Sequence, residues 1–122
     1  MYEIDFDEKN RVLTTRFFGF WGVADVKRYG EEFATTLRRL KARYPDLSLL
    51  ADVREMSVTT PEVSAAFATL SDDENFRSIQ RSAVVVAKML SKLQVERTSH
   101  QPLGVFFDEA EARAWLSAPL AD

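Results

Sequence analysis

The sequence predicts an α/β fold: a mostly parallel sheet with an N-terminal antiparallel hairpin strand and helices on both faces, in a single domain over residues 1–122. Three observations predict it. Residues 2–7 alternate apolar and acidic side chains, the period of a half-buried strand. Two short runs, 47–53 and 82–87, are apolar on both faces, as in strands covered from both sides. Stretches with helical spacing separate and follow these runs, which implies parallel strands joined by crossovers.

In the first strand Tyr2, Ile4 and Phe6 take one face and Glu3, Asp5 and Asp7 the other. Glu8-Lys9-Asn10 is a polar turn in which Asn10 tolerates a left-handed backbone. Residues 11–19 form the second strand, antiparallel to the first. Gly19-Phe20-Trp21-Gly22 ends it, and two readings stay open there. The rings cap the core, or they wall an apolar pocket.

A long helix follows. Val26, Tyr29, Phe33, Leu37, Leu40 and Tyr44 recur at helical spacing. Gly22 suits the N-cap and Asp25 the positive helix end. Arg38, Arg39, Lys41 and Arg43 match the negative end, and Pro45-Asp46 stops the helix.

The strand at 47–53 is the central one. Asp52 stands near its end, and residues 54–59 are expected to be a loop. Thr60-Pro61-Glu62 then reads as a helix start, because threonine accepts from free backbone N–H groups and proline suits the first helical position. That helix runs to about residue 70, with Val63, Ala66, Phe67 and Leu70 inward, and residues 71–75 make a polar exit. Residues 82–87 form the next strand and 88–98 a helix with Met89, Leu90 and Leu93 on one face. Residues 99–102 break it. A short strand at 103–107 leads to a last helix with Asp108 as N-cap, Glu111 completing a capping box, and Ala112, Trp115 and Leu116 inward. Pro119 follows its end.

Composition narrows the function. The 122 residues carry a formal net charge of −3, the wrong balance for a non-specific nucleic-acid binder. No cysteine is present, so disulfides, thiolate metal sites and thiol nucleophiles are excluded. No apolar run reaches the ~20 residues of a membrane span, and the acidic N-terminus does not resemble a signal peptide. A cytoplasmic protein is expected. The acids at 72–74 lack the spacing of a calcium loop, so no metal or cofactor is expected. His100, the sole histidine, lies in an expected loop with no evident base partner. Glycine loops for phosphate and nucleophile-elbow patterns are absent. The chain is therefore expected not to be an enzyme.

The parallel strands bring their C-terminal ends to one rim. That rim collects Phe20 and Trp21, then Asp52, Arg54, Ser57, Thr59 and Thr60, then Lys88 and Asp108. Asp52, Arg54 and Lys88, beside helix N-termini, suit an anion or a phosphorylated partner. Ordinary capping explains Thr60 and Asp108 equally well. Phe20, Trp21, Met89 and Leu90 are the candidates for lining an apolar pocket. A homodimer through a sheet edge or the face at 89–93 is compatible with the pattern.

Several motifs in order resemble the SpoIIAA-like family, small bacterial proteins related to STAS domains. They are Gly19-Phe20-Trp21, Leu49-Leu50-Ala51-Asp52-Val53-Arg54, Thr60-Pro61-Glu62, and Phe107-Asp108-Glu109-Ala110-Glu111-Ala112-Arg113-Ala114-Trp115-Leu116. The resemblance covers nearly the whole length and implies a SpoIIAA/STAS-like β/α superhelix. Anti-sigma-factor antagonists of the related fold are switched by phosphorylation of a serine at the start of the helix after the central strand. That modification blocks binding to a kinase partner. Their Asp-Ser-x-Gly motif is absent here, where the equivalent region reads Ser57-Val58-Thr59-Thr60-Pro61-Glu62. The resemblance thus implies Thr60 and Thr59, then Ser57, as phosphorylation candidates. It favours a non-enzymatic regulatory module with a protein partner. The alternative is a domain that binds or senses a small, lipid-like apolar ligand.

Overall fold

The structure is a computed structural model and describes residues 1–57, 59–98 and 103–118. The break at 99–102 with His100, and Val58 and Pro119, lie outside the described residues. The elements run β1 (Tyr2–Asp7), β2 (Val12–Gly19), α1 (Val23–Lys41), β3 (Ser48–Met56), α2 (Pro61–Ser71), α3 (Glu74–Arg77), β4 (Ser82–Val85), α4 (Met89–Thr98), β5 (Leu103–Phe106) and α5 (Glu109–Ser117). The sheet has the order β1-β2-β3-β4-β5. β1 is antiparallel to β2 and the remaining neighbours are parallel, as the fold class requires.

Each sheet face has its own core. On one face Leu13, Phe17 and Leu49 meet Val26, Tyr29, Phe33 and Leu37 of α1 and Val63 of α2, with Trp21 among them. On the other, Val12, Leu50, Ala83 and Val85 meet Ala112 and Leu116 of α5. β4 is buried along its whole length because helices cover both faces there.

The local signals mostly act as their chemistry dictates. The Gly22 N–H donates to Asp25 Oδ2 at 2.8 Å, and the Val63 N–H donates to Thr60 Oγ1 at 3.3 Å. Asp108 caps α5 by accepting from the Ala110 N–H at 3.3 Å. The other half of that expected box does not form. No hydrogen bond from the Asp108 N–H to the Glu111 carboxylate occurs among the described residues. The first hairpin also differs. Arg11, not Asn10, takes the left-handed backbone, with φ 57°. Asn10 instead donates its amide and its side chain to Asp7, at 3.1 and 2.8 Å.

Three boundaries move. The polar exit at 71–75 contains the start of α3, capped by Asp73, which accepts from the Asn75 N–H at 2.8 Å. β4 stops at Val85, although the buried Val86 still donates its N–H to the Phe106 carbonyl. β3 continues to Met56, so Arg54 belongs to a strand and not to a loop.

Gly104 carries a packing constraint. A Cβ there would sit 2.6 Å from the Phe106 ring and 3.1 Å from the Trp115 ring. Those rings pack on each other, with centroids 5.7 Å apart. Gly104→Ala is expected to lower stability by about 1–3 kcal/mol, the usual cost of overpacking. Equilibrium denaturant unfolding checks it, and an unchanged midpoint would count against this packing.

Candidate functional site

The C-terminal ends of β2 to β5 share one rim, which receives the sequence-derived candidates from four connections. After β2, Gly19 takes a positive φ of 71° and the chain splits its two aromatics. Trp21 turns inward, 2% exposed, and its Nε1 donates to the Phe18 carbonyl at 3.1 Å. Phe20 points out and is 69% exposed. Met89 and Leu90 are also exposed, at 58% and 72%. Trp21 is therefore a core residue rather than the wall of an apolar pocket. It packs against the rings of Tyr2, Phe17, Tyr29 and Phe67. A groove of about 690 Å³ lies elsewhere, between α1 and the α2–α3 segment.

After β3 come the hydroxyls. Ser57 is exposed, and its backbone N–H donates to the Gly19 carbonyl at 2.9 Å, tying this connection to the end of β2. Thr59 and Ser64 share a hydrogen bond between their hydroxyls at 2.8 Å. Thr60 is half-buried and its oxygen caps α2. A phosphoryl group on Thr59 or Thr60 would lie beside the first turn of α2, where backbone N–H groups favour negative charge.

Asp52 and Arg54 face the opposite layer, toward α5. Pairing of β2 with β3 shifts between Arg16 and Phe18, so β3 bulges at Val53 and Arg54. A bulge re-aims the side chain it carries. Here the Arg54 N–H donates to Asp52 Oδ1 at 3.1 Å, and its guanidinium folds back onto the same carboxylate at 2.9 and 2.8 Å. Arg16, opposite Asp52 in the ladder, donates to it at 2.7 Å. Arg16 also grips Glu109, the first residue of α5, with two N–H groups at 2.9 and 3.2 Å. Arg54 reaches Glu109 at 3.2 Å and Arg113 reaches it at 2.9 Å. Arg113 also touches the Thr14 hydroxyl at 3.4 Å. Three guanidiniums thus converge on two carboxylates and join β2, β3 and α5.

Electrostatics follow this geometry. Hydrogen bonds from Arg16 bring the Glu109 carboxyl down to about 2 against the opposing pull of partial burial, and Arg113 adds to the shift. Burial pushes Asp52 upward, but the hydrogen bonds and charge of Arg54, together with Arg16, outweigh it and leave it below the usual carboxylate range. Lys88 stays exposed and forms no ion pair among the described residues, so it does not join Asp52 and Arg54. Those two turn toward Glu109 of α5, while Lys88 precedes α4.

A sequence profile of SpoIIAA-like proteins matches residues 12–117. The chain belongs to the SpoIIAA-like family. Two solved structures are similar to this SpoIIAA-like chain. One is an uncharacterised protein of the DUF3478 family with a SpoIIAA-like fold, from Shewanella loihica PV-4. It is 14% identical, with 95% of this chain and 92% of that one covered and a TM-score of 0.72. The other is the anti-sigma factor antagonist SpoIIAA in its unphosphorylated form. It is 11% identical, with 95% and 97% covered and a TM-score of 0.66. At these identities the likeness is one of fold. No curated protein matches the chain.

Within this SpoIIAA-like frame, Arg16, Glu109 and Arg113 are the site residues that pattern reading did not single out. Glu109 and Arg113 are spaced one helical turn apart, an ion-pair signal visible in sequence. Nothing local marks Arg16, which lies 93 residues from Glu109. Among the described residues no group of three or more His, Cys, Asp or Glu side chains is placed to hold a metal ion, and no helix is long and apolar enough to cross a membrane.

Proposed function

We propose that the chain is a non-enzymatic regulatory module whose rim around residues 54–62 docks a protein partner, with a hydroxyl at Thr60, Thr59 or Ser57 as the point of control. The observation that carries this reading is the placement of those hydroxyls. They follow the central strand, and Thr59 and Thr60 border the capped first turn of α2, in a fold similar to that of an anti-sigma factor antagonist. A phosphate there adds about −1.5 to −2 charge to an exposed rim, enough to turn a docking surface against an acidic partner or toward a basic one.

The test is affinity capture from the native host with wild type and with Ser57→Glu, Thr59→Glu and Thr60→Glu. A partner held by wild type is expected to be lost from at least one variant whose melting temperature is unchanged. Equal capture by all folded variants would remove the rim from the account. Intact mass of the protein from the same host is expected to carry a phosphate increment that maps to residues 57–60.

A further inference from the structure

The five-residue cluster beneath α5 has the composition of a ligand site filled from within. Arg16 presents two parallel N–H groups to one carboxylate, the fork geometry with which arginine recognises carboxylates and phosphates. Arg54 and Arg113 close on the same carboxylate from two further directions. The carboxylate comes from Glu109, a side chain at the very start of a helix. α5 has other anchors besides it. Ala112 and Leu116 anchor the helix in the core and Asp108 caps its first turn.

We infer that Arg16, Arg54 and Arg113 form a receptor for a phosphoryl oxyanion, which Glu109 occupies in place of the ligand. Charge selects the ligand. With Glu109 displaced, Asp52 is the one carboxylate left at ion-pair distance from these guanidiniums among the described residues, a local surplus of two positive charges that the more distant Asp108 trims at the Arg54 edge. A phosphate monoester, at about −1.5 to −2, matches that surplus, and a single carboxylate does not. Access is available, because the three arginine side chains remain 35–37% exposed. Asp52 keeps two of them aligned throughout, since it holds Arg16 and Arg54 by bonds that do not involve Glu109. Asp108 stands near Arg54, so the anion is expected to sit on the Arg16 and Arg113 side of the cluster. The inference deepens the docking role by naming the chemistry a partner would present, and it does not require Ser57, Thr59 or Thr60 to be modified.

The test is a titration of the full chain followed by NMR at the arginine Nε–H groups and at the backbone of residues 109–113. Inorganic phosphate and a phosphoserine peptide are compared with chloride at matched ionic strength. Both phosphoryl ligands are expected to shift the signals of Arg16, Arg54 and Arg113, and chloride is not. Glu109→Gln removes the competitor's charge and is expected to tighten phosphate binding by about tenfold or more, the scale of one charge-assisted pair. A peptide that binds more tightly than inorganic phosphate assigns the ligand to a partner protein, and equal binding assigns it to the free ion. Shifts confined to the first turn of α2, or none at the three arginines, would overturn the receptor. If Glu109→Gln fails to fold, the wild-type titration alone decides. Loss of partner capture in the rim variants leaves this result unaffected, so the two readings fail separately.

Discussion

Trp21→Ala is expected to cost about 3–5 kcal/mol, close to the largest loss any one side chain of this domain would bring. The residue follows β2 directly, where a glycine with positive φ lets the chain reverse. Its ring then fills the space between β1, β2, α1 and α2, in contact with four other aromatic rings. The indole N–H is satisfied by the Phe18 carbonyl, so burial leaves no polar atom unpaired. Truncation removes that packing and leaves a cavity whose walls belong to four elements, which limits collapse. Phe20→Ala provides the control, because its ring is mostly in solvent and its loss is expected to stay within about 0.5 kcal/mol. Denaturant unfolding of the two variants separates the roles. Similar, small losses from both would return Trp21 to the surface and support the pocket-wall reading.

That contrast shows which parts of the molecule were legible in sequence. Period-2 alternation in residues 2–7 and the apolar runs at 47–53 and 82–87 identify strands because burial is the force that places them. The helical stripe of α1 is legible for the same reason. Two adjacent aromatics between glycines are not resolved by such patterns. Their directions depend on a single backbone reversal at Gly19, and both outcomes leave one ring buried or half-buried. The charge cluster was legible only in part. Asp52 and Arg54 are two apart, a spacing that puts them on one face of a regular strand and makes their pairing legible. The bulge at Val53 and Arg54, which turns the Arg54 N–H onto the same carboxylate, is announced by no residue type. Arg16 and Glu109 meet only after the whole sheet and its last crossover are in place. Local chemistry accounts for caps and strands, while the site is assembled by register.

Asp52→Ala is expected to cost about 2–4 kcal/mol. Asp52 is buried and accepts from Arg16 and from both the backbone and guanidinium of Arg54. Its removal leaves two guanidiniums without their shared partner and frees the bulge N–H. The figure stays below that for a fully enclosed pair because the arginines reach solvent, which screens and rehydrates them. Asp52→Asn keeps an acceptor for the bulge and is expected to lose less. Acid provides an independent measure of the same cluster. Asp52 and Glu109 both titrate below their ordinary range in the folded chain, Glu109 at about 2. Groups lowered in this way contribute stability that is complete above the unfolded carboxylate range. That stability is lost as pH falls from there through the folded values. Wild-type stability should therefore decline from about pH 4 downward, and Glu109→Gln should flatten that decline while lowering stability near neutrality. Unfolding midpoints measured across this range check the sign. An acid slope identical in wild type and Glu109→Gln would show that Glu109 is not held by the arginines in solution, and both the ion-pair cluster and the receptor built on it would fall together.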